Sequence, residues 1–185
     1  MPLSPTTKVY AVQDCKIAKL TADSATAPTY SPLVDVPGIK KVGLSFDFKS
    51  VELRGDNKRL DADSVMLGGK ITFDHAKLSF DAVPVILGGT TAYSGTAPAQ
   101  IASYTRASVD VMPYFKLEAV TPASGGDTVG SDVHLLIPKC KVTKYDLGLA
   151  EEDYQIFSGE ASAVFTISSD QLFALIMNET AVAIA

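Results

Sequence analysis

Two histidines, two cysteines and a few short runs of carboxylates are the raw material from which this sequence would have to build a catalytic or metal site. His75 and His134 stand alone, without the H-E-x-x-H or paired-ligand spacing that brings two imidazoles onto one metal. Both fall in stretches read as strands, where a solvated or capped side chain is expected. Cys15 and Cys140 are far apart and lack a C-x-x-C partner. Small buried thiols are expected of them, not a disulfide framework or a zinc site.

The carboxylate groupings are no more suggestive. Asp61-Ala62-Asp63 opens like a calcium loop, but the glycine of the sharp turn and the closing bidentate glutamate are missing at their offsets. Turn solvation is the expectation there, and Glu151-Glu152-Asp153 reads as a solvated edge, since catalytic carboxylates need opposed placement and differing environments. Arg54-Gly55-Asp56 spells an adhesion tripeptide, yet glycine and aspartate in a tight turn explain it by backbone chemistry alone. Asn178-Glu179-Thr180 fits a glycosylation acceptor, which is expected to go unused because Met1 to Tyr10 has no secretory pattern. The sequence has no G-x-S-x-G elbow, P-loop or G-x-G-x-x-G. A scattered Ser-His-Asp triad leaves no spacing to find, and nothing points to one. Neither an enzyme nor a cofactor is expected.

A chain of 185 residues with 46% hydrophobic content suits one domain with a real core, here residues 1–185. With 16 Lys+Arg against 21 Asp+Glu, the net charge of -5 provides no footprint for gripping phosphates, although an acidic wall can keep DNA from adhering. The most apolar windows, Ala82 to Leu87 and Leu172 to Met177, are far short of the ~20 residues of a membrane helix. No membrane insertion is expected, and synthesis is expected to end in the cytoplasm.

Residues 1–40 read as an N-terminal arm with one strand, Lys16 to Leu20, followed by a loop in which Pro28, Pro32 and Pro37 discourage helix and central strand. From Leu44 the pattern alternates: Leu44, Phe46 and Phe48 against Ser45, Asp47 and Lys49. Val51 and Leu53 continue the apolar series one residue late, which predicts a bulge around Lys49 and Ser50 and puts Asp47 and Glu52 on one polar side. A turn at Arg54 to Asn57 and a return strand, Val65 to Phe73, irregular at Gly68-Gly69, complete a long hairpin over residues 44–78. Arg54, Gly55, Asp56, Asn57, Lys58, Arg59, Asp61 and Asp63 form its tip, whose mixed charges suit a complementary subunit surface, so this hairpin is the expected assembly element.

A short helix is expected over residues 79–89, capped by Ser79 or Asp81, limited by Pro84 and stopped by Gly88-Gly89. A loop from Gly88 to Gln100 follows, then strands at Val111 to Val120, Val133 to Thr143, Ala161 to Ile167 and Thr180 to Ile184, with Leu172 to Met177 either a helical turn or a strand. The fold class is therefore mainly β: an antiparallel β-sandwich or partly closed barrel, with one short flanking α-helix and a long protruding β-hairpin.

Three stretches, taken in order, resemble the major tail tube proteins of long-tailed bacteriophages with noncontractile tails. Leu53-Arg54-Gly55-Asp56-Asn57 is similar to that family's Leu-x-Gly-Asp turn at the tip of a long hairpin. Gly69 to Phe80, with the apolar helix ending at Gly88-Gly89-Thr90, is similar to the segment that follows it, and Glu179-Thr180-Ala181 resembles the closing strand. The resemblance spans Leu44 to Ala185, with Pro84 a departure. It implies a β-sandwich flanked by a helix, hexameric rings stacked into a tube, and loops and arms that bridge the rings. It also implies a lumen through which DNA passes without specific binding, tape measure and tail terminator proteins as partners, and residence in the virion tail. Asp47, Glu52, Asp74 and Glu118 are then candidate acids for the wall of that lumen, with outer solvent as the alternative placement. A capsid decoration or head-tail joining protein is the alternative, with the same β content and the same lack of chemistry. A small β hydrolase would need a concave pocket with convergent polar groups.

Overall fold

The computed structural model describes residues 7–124, 131–148, 151 and 154–184. In chain order these form β1 (Lys8–Val9), β2 (Asp14–Asp23), β3 (Pro28–Tyr30), β4 (Val34–Asp35), β5 (Ile39–Gly55), β6 (Lys58–His75), α1 (Ala82–Leu87), β7 (Thr90–Ser94), β8 (Ile101–Thr105), β9 (Phe115–Ser124), β10 (Asp132–Asp146), β11 (Phe157–Ala163) and β12 (Ala174–Asn178). The architecture is mainly β with one short helix.

Ten strands join in one antiparallel sheet whose main path runs β3-β2-β9-β10-β11-β6-β5. Off this path, β1 pairs with β9, β4 with β2 and β12 with β10, while β7 and β8 form a separate hairpin. Alternation sends one face of the sheet inward. Cys15 and Ile17 of β2, Ile71 and Phe73 of β6, Phe115 and Leu117 of β9, Ile137, Cys140 and Val142 of β10 and Ala161 of β11 are all buried there. Ala82, Val85 and Ile86 of α1 join the same cluster.

The helix forms as its residues dictate. Ser79 Oγ accepts from the Ala82 amide at 3.2 Å, Pro84 sits in the first turn where a missing donor costs nothing, and Gly88 (φ 76°) supplies the left-handed stop. Asp81 makes no cap and instead accepts from the Tyr93 hydroxyl at 2.7 Å, tying α1 to β7.

Several expectations are corrected. The stretch from Gly88 to Gln100 is not simply loop, because Thr90–Ser94 pairs with Ile101–Thr105. The arm contributes β3 and β4, with Pro28 at the first position of an edge strand, where its missing donor is tolerated. Thr180 to Ile184 forms no strand, and the last one is β12, which settles Leu172 to Met177 in favour of strand from Ala174. Glu152 and Asp153 of the acidic corner lie outside the described residues.

Neither histidine is solvated. His75 is buried at the hairpin root, with Nδ1 2.8 Å from the Lys77 carbonyl and Nε2 2.7 Å from the Tyr145 hydroxyl. A carbonyl only accepts, so Nδ1 carries the proton and Nε2 accepts from Tyr145. The imidazole also stacks on Phe157, with centroids 5.3 Å apart. Burial pushes the His75 pKa down and raises that of Tyr145 to about 12, so both stay neutral and keep this bond.

Candidate functional site

The hairpin of β5 and β6 is paired from Ile39↔His75 to Gly55↔Lys58. Its two-residue turn places Asp56 (φ 49°) and Asn57 (φ 58°) in the left-handed region, a conformation that Asp and Asn tolerate because their side chains bond locally. Beyond Gly69 the ribbon leaves its neighbour, since β11 pairs only with Gly69 to His75. Among the described residues the distal part of β6 therefore has an unpaired edge.

Where the ribbon leaves the sheet, its apolar face changes side. The register jumps from Asp47↔Gly68 to Phe48↔Met66 and from Leu53↔Asp61 to Arg54↔Arg59, so the extra residues are Leu67 and Leu60 of β6. The bulge expected at Lys49 and Ser50 is thus found on the opposite strand, beside the irregular Gly68-Gly69, and β5 alternates without interruption from Lys41 to Gly55. Leu44, Phe46 and Phe48 consequently share a face with Ser50, Glu52 and Arg54, whereas Val51 and Leu53 share the other with Asp47 and Lys49.

The proximal apolar residues turn toward the core, with Leu44 packed against it and Phe46 against Phe173 at 5.0 Å. The distal ones do not. Val51, Leu53 and Val65 are 60%, 61% and 57% exposed on the outward side, flanked by Asp61 and Asp63, which pair across from Leu53 and Val51. The opposite distal face starts at the exposed Phe48 and turns polar toward the tip: Ser50 and Ser64 hydroxyls meet at 3.0 Å, and the Glu52 carboxylate is bridged by Arg54 at 2.7 Å and Arg59 at 3.4 Å. Asp61 and Asp63 each accept from the next backbone amide, Ala62 and Ser64, at 2.8 Å.

The four candidate channel acids are not equivalent. Asp47 and Glu52 lie on opposite faces of β5, a correction that follows from the bulge being on β6. Asp74 pairs across from Lys41 and Ser158 on the outward face of the sheet. Glu118 is buried, so it presents no free charge to a channel or to outer solvent. Its carboxylate is held by Lys116 at 3.2 Å and by His134 Nδ1 at 2.8 Å, while His134 Nε2 lies 3.1 Å from Asp132.

That row of charges fastens the last strand and the tail. Asp132 also accepts from Asn178 Nδ2 at 2.8 Å and from the Val182 amide at 2.7 Å. Both partners of His134 are carboxylates, which accept only, so both bonds are made by the doubly protonated imidazolium. Burial acts to lower its pKa, but the bonds to Glu118 and Asp132 and their charges outweigh that and raise it. Burial likewise acts to raise the Asp132 pKa, and the bonds from Val182, Asn178 and His134 bring it below the ordinary range. With both ring nitrogens engaged, this imidazole has no lone pair for a nucleophile or a metal. Among the described residues no group of three or more His, Cys, Asp or Glu is placed to hold a metal ion.

Sequence reasoning missed this row because its members come from β9, β10, β12 and the tail. It also missed the switch of apolar face, whose signal was the one-residue slip at Val51 and Leu53. Among the described residues no helix is long and apolar enough to cross a membrane. No protein-family model and no curated protein matches the chain.

Proposed function

We propose that this chain is a structural subunit that self-assembles into stacked hexameric rings, forming the tail tube of a noncontractile phage tail through which DNA is ejected. The observation that carries the reading is the distal hairpin, a ribbon with both edges unpaired among the described residues and an exposed apolar face turned away from its own core. Such a ribbon is marginal in water by itself and is an aggregation hazard unless a neighbour covers it. Ring closure removes that hazard, since every subunit's open edges meet the next copy. Within the ring, the sheets of neighbouring subunits close into a sandwich-walled barrel around the lumen. The one imidazole flanked by charges, His134, is fully engaged by carboxylates, which fits a structural role better than a catalytic one. The resemblance of the hairpin tip and of the segment after it to tail tube proteins supplies the specific form of the assembly, with tape measure and tail terminator proteins as its partners in the virion.

Negative-stain electron microscopy of purified protein across a concentration series tests this. Tubes with a central channel are expected at high concentration. A chain that stays monomeric at every concentration and attaches only to preformed capsids would instead be a decoration or head-tail joining protein.

A further inference from the structure

The chain has a second exposed apolar feature, at the opposite end of the hairpin. A groove of about 480 Å³ opens beside the root of β5, floored by Val133 and Leu135 of β10 and by Leu175 of β12, and rimmed by Tyr10, Lys40 and Lys41. Leu175 and Tyr10 are largely exposed. Among the described residues neither lysine has an ion-pair partner, and neither do Asp61 and Asp63 of the hairpin.

We infer that this groove receives the outward distal face of the hairpin of a second copy, with Val51, Leu53 and Val65 entering the apolar floor and Asp61 and Asp63 meeting Lys40 and Lys41. The inference rests on the self-assembly proposed above and names the receiving surface for it. Two observations and a symmetry argument carry it. The two surfaces match in kind, each an exposed apolar patch bordered by two charges without an ion-pair partner, negative on the hairpin and positive on the groove. The chain's own hairpin does not reach: Lys40 and Lys41 begin β5 and Leu53 nearly ends it, and the 12 residue steps from Lys41 to Leu53 at ~3.3 Å each hold the two roughly 40 Å apart. A hairpin that enters a different patch on the next copy makes a head-to-tail contact, which generates a ring where the rotation closes and a filament where it does not.

Charge reversal in two halves tests the pairing. Asp61→Lys with Asp63→Lys, and separately Lys40→Glu with Lys41→Glu, are each expected to abolish assembly at concentrations where the wild type assembles, as read by sedimentation velocity. All four positions are exposed, so circular dichroism and the melting temperature should stay near wild type. Mixing the two double variants, or joining all four substitutions in one chain, is expected to restore assembly, because each altered hairpin then meets an altered groove.

A covalent readout runs in parallel. Val51→Cys mixed with Leu175→Cys should give a heterodimeric disulfide on a non-reducing gel, with the native thiols buried and out of reach. Assembly unaffected by either reversal, no rescue in the mixture, or Val51→Cys homodimers in place of the mixed species would overturn the groove assignment. A wild type that never assembles would instead remove the tube reading itself, so the two failures are distinguishable.

Discussion

Asp47 and Glu52 lie on opposite faces of β5, although a bulge at Lys49 and Ser50 would have put them on one side. Glu52 belongs to the distal face that is polar toward the tip, where it pairs with both Arg54 and Arg59 and offsets one of their two charges, and Asp47 belongs to the face of Val51 and Leu53. If the apolar face is covered by a neighbour, only the Glu52 face is left for the lumen. Glu52→Lys is then expected to unmask two guanidinium groups toward passing phosphates, making DNA release from assembled virions slower and more salt-dependent. Asp47→Lys should leave release kinetics unchanged. Equal effects from both substitutions, measured as ejection rates at low and moderate salt, would contradict this placement.

Shortening the hairpin between Gly55 and Asp63 should give a folded domain that does not polymerise. The distal ribbon contributes no residue beyond Met66 to the core cluster, so its removal leaves the buried face of the sheet intact. The melting temperature is expected to stay within about 4 °C of wild type, the shift that roughly 1 kcal/mol produces in a domain of this size. Sedimentation velocity reads the loss of assembly, and normal tubes from the shortened chain would show that the hairpin is not the assembly element.

The hairpin was legible in the sequence because a strong alternation, an Asp-Asn turn and a Gly-Gly irregularity act locally on the backbone. The helix was legible for the same reason, with Ser79, Pro84 and Gly88 each acting within one turn. The bulge was misplaced because an apolar series that slips by one residue has two physical causes, an inserted residue or a genuine change of buried face, and one strand alone does not tell them apart. β7 and β8 were missed since Thr90-Thr91-Ala92-Tyr93-Ser94 is largely exposed and pairs through its backbone without an apolar alternation to announce it. Glu118 looked like a surface acid because His134, its partner besides Lys116, comes from β10, which only the fold brings alongside.

Gly159→Ala is expected to destabilise the chain by about 2 kcal/mol, within the range for overpacking a core. Gly159 of β11 pairs directly across from Phe73, and the Phe73 ring occupies the place that a Cβ at Gly159 would take. Phe73 is itself buried, so the ring has little room to swing aside. Urea unfolding should show a lower midpoint with an unchanged slope. The double variant Gly159→Ala with Phe73→Leu should recover part of the loss, and a fully stable single variant would mean that the ring is free to move.

The two histidines should give stability opposite dependences on pH. His134 has a raised pKa in the folded chain, so its contribution is complete below the ordinary value of 6.5 and is lost as the pH rises through the folded value. Asp132 is held below its ordinary 3.8, so its share is complete above that value and is lost as the pH falls through the folded one. The row from Glu118 to Asp132 is therefore strongest between about pH 4 and 6.5. His75 is lowered by burial, so its contribution is complete above 6.5 and declines as acid forces a proton onto a buried ring. His134→Gln should cost about 3 kcal/mol at pH 5.5, because it leaves Glu118 and Asp132 facing each other without the cation between them. The same substitution should flatten the alkaline decline and loosen the tail at Val182, which amide exchange would report. His75→Gln should flatten the acid-side decline and leave the alkaline one in place. Urea midpoints collected from pH 4.5 to 8.5 decide the matter. Wild-type slopes on both sides in both variants would show that neither histidine governs the pH response.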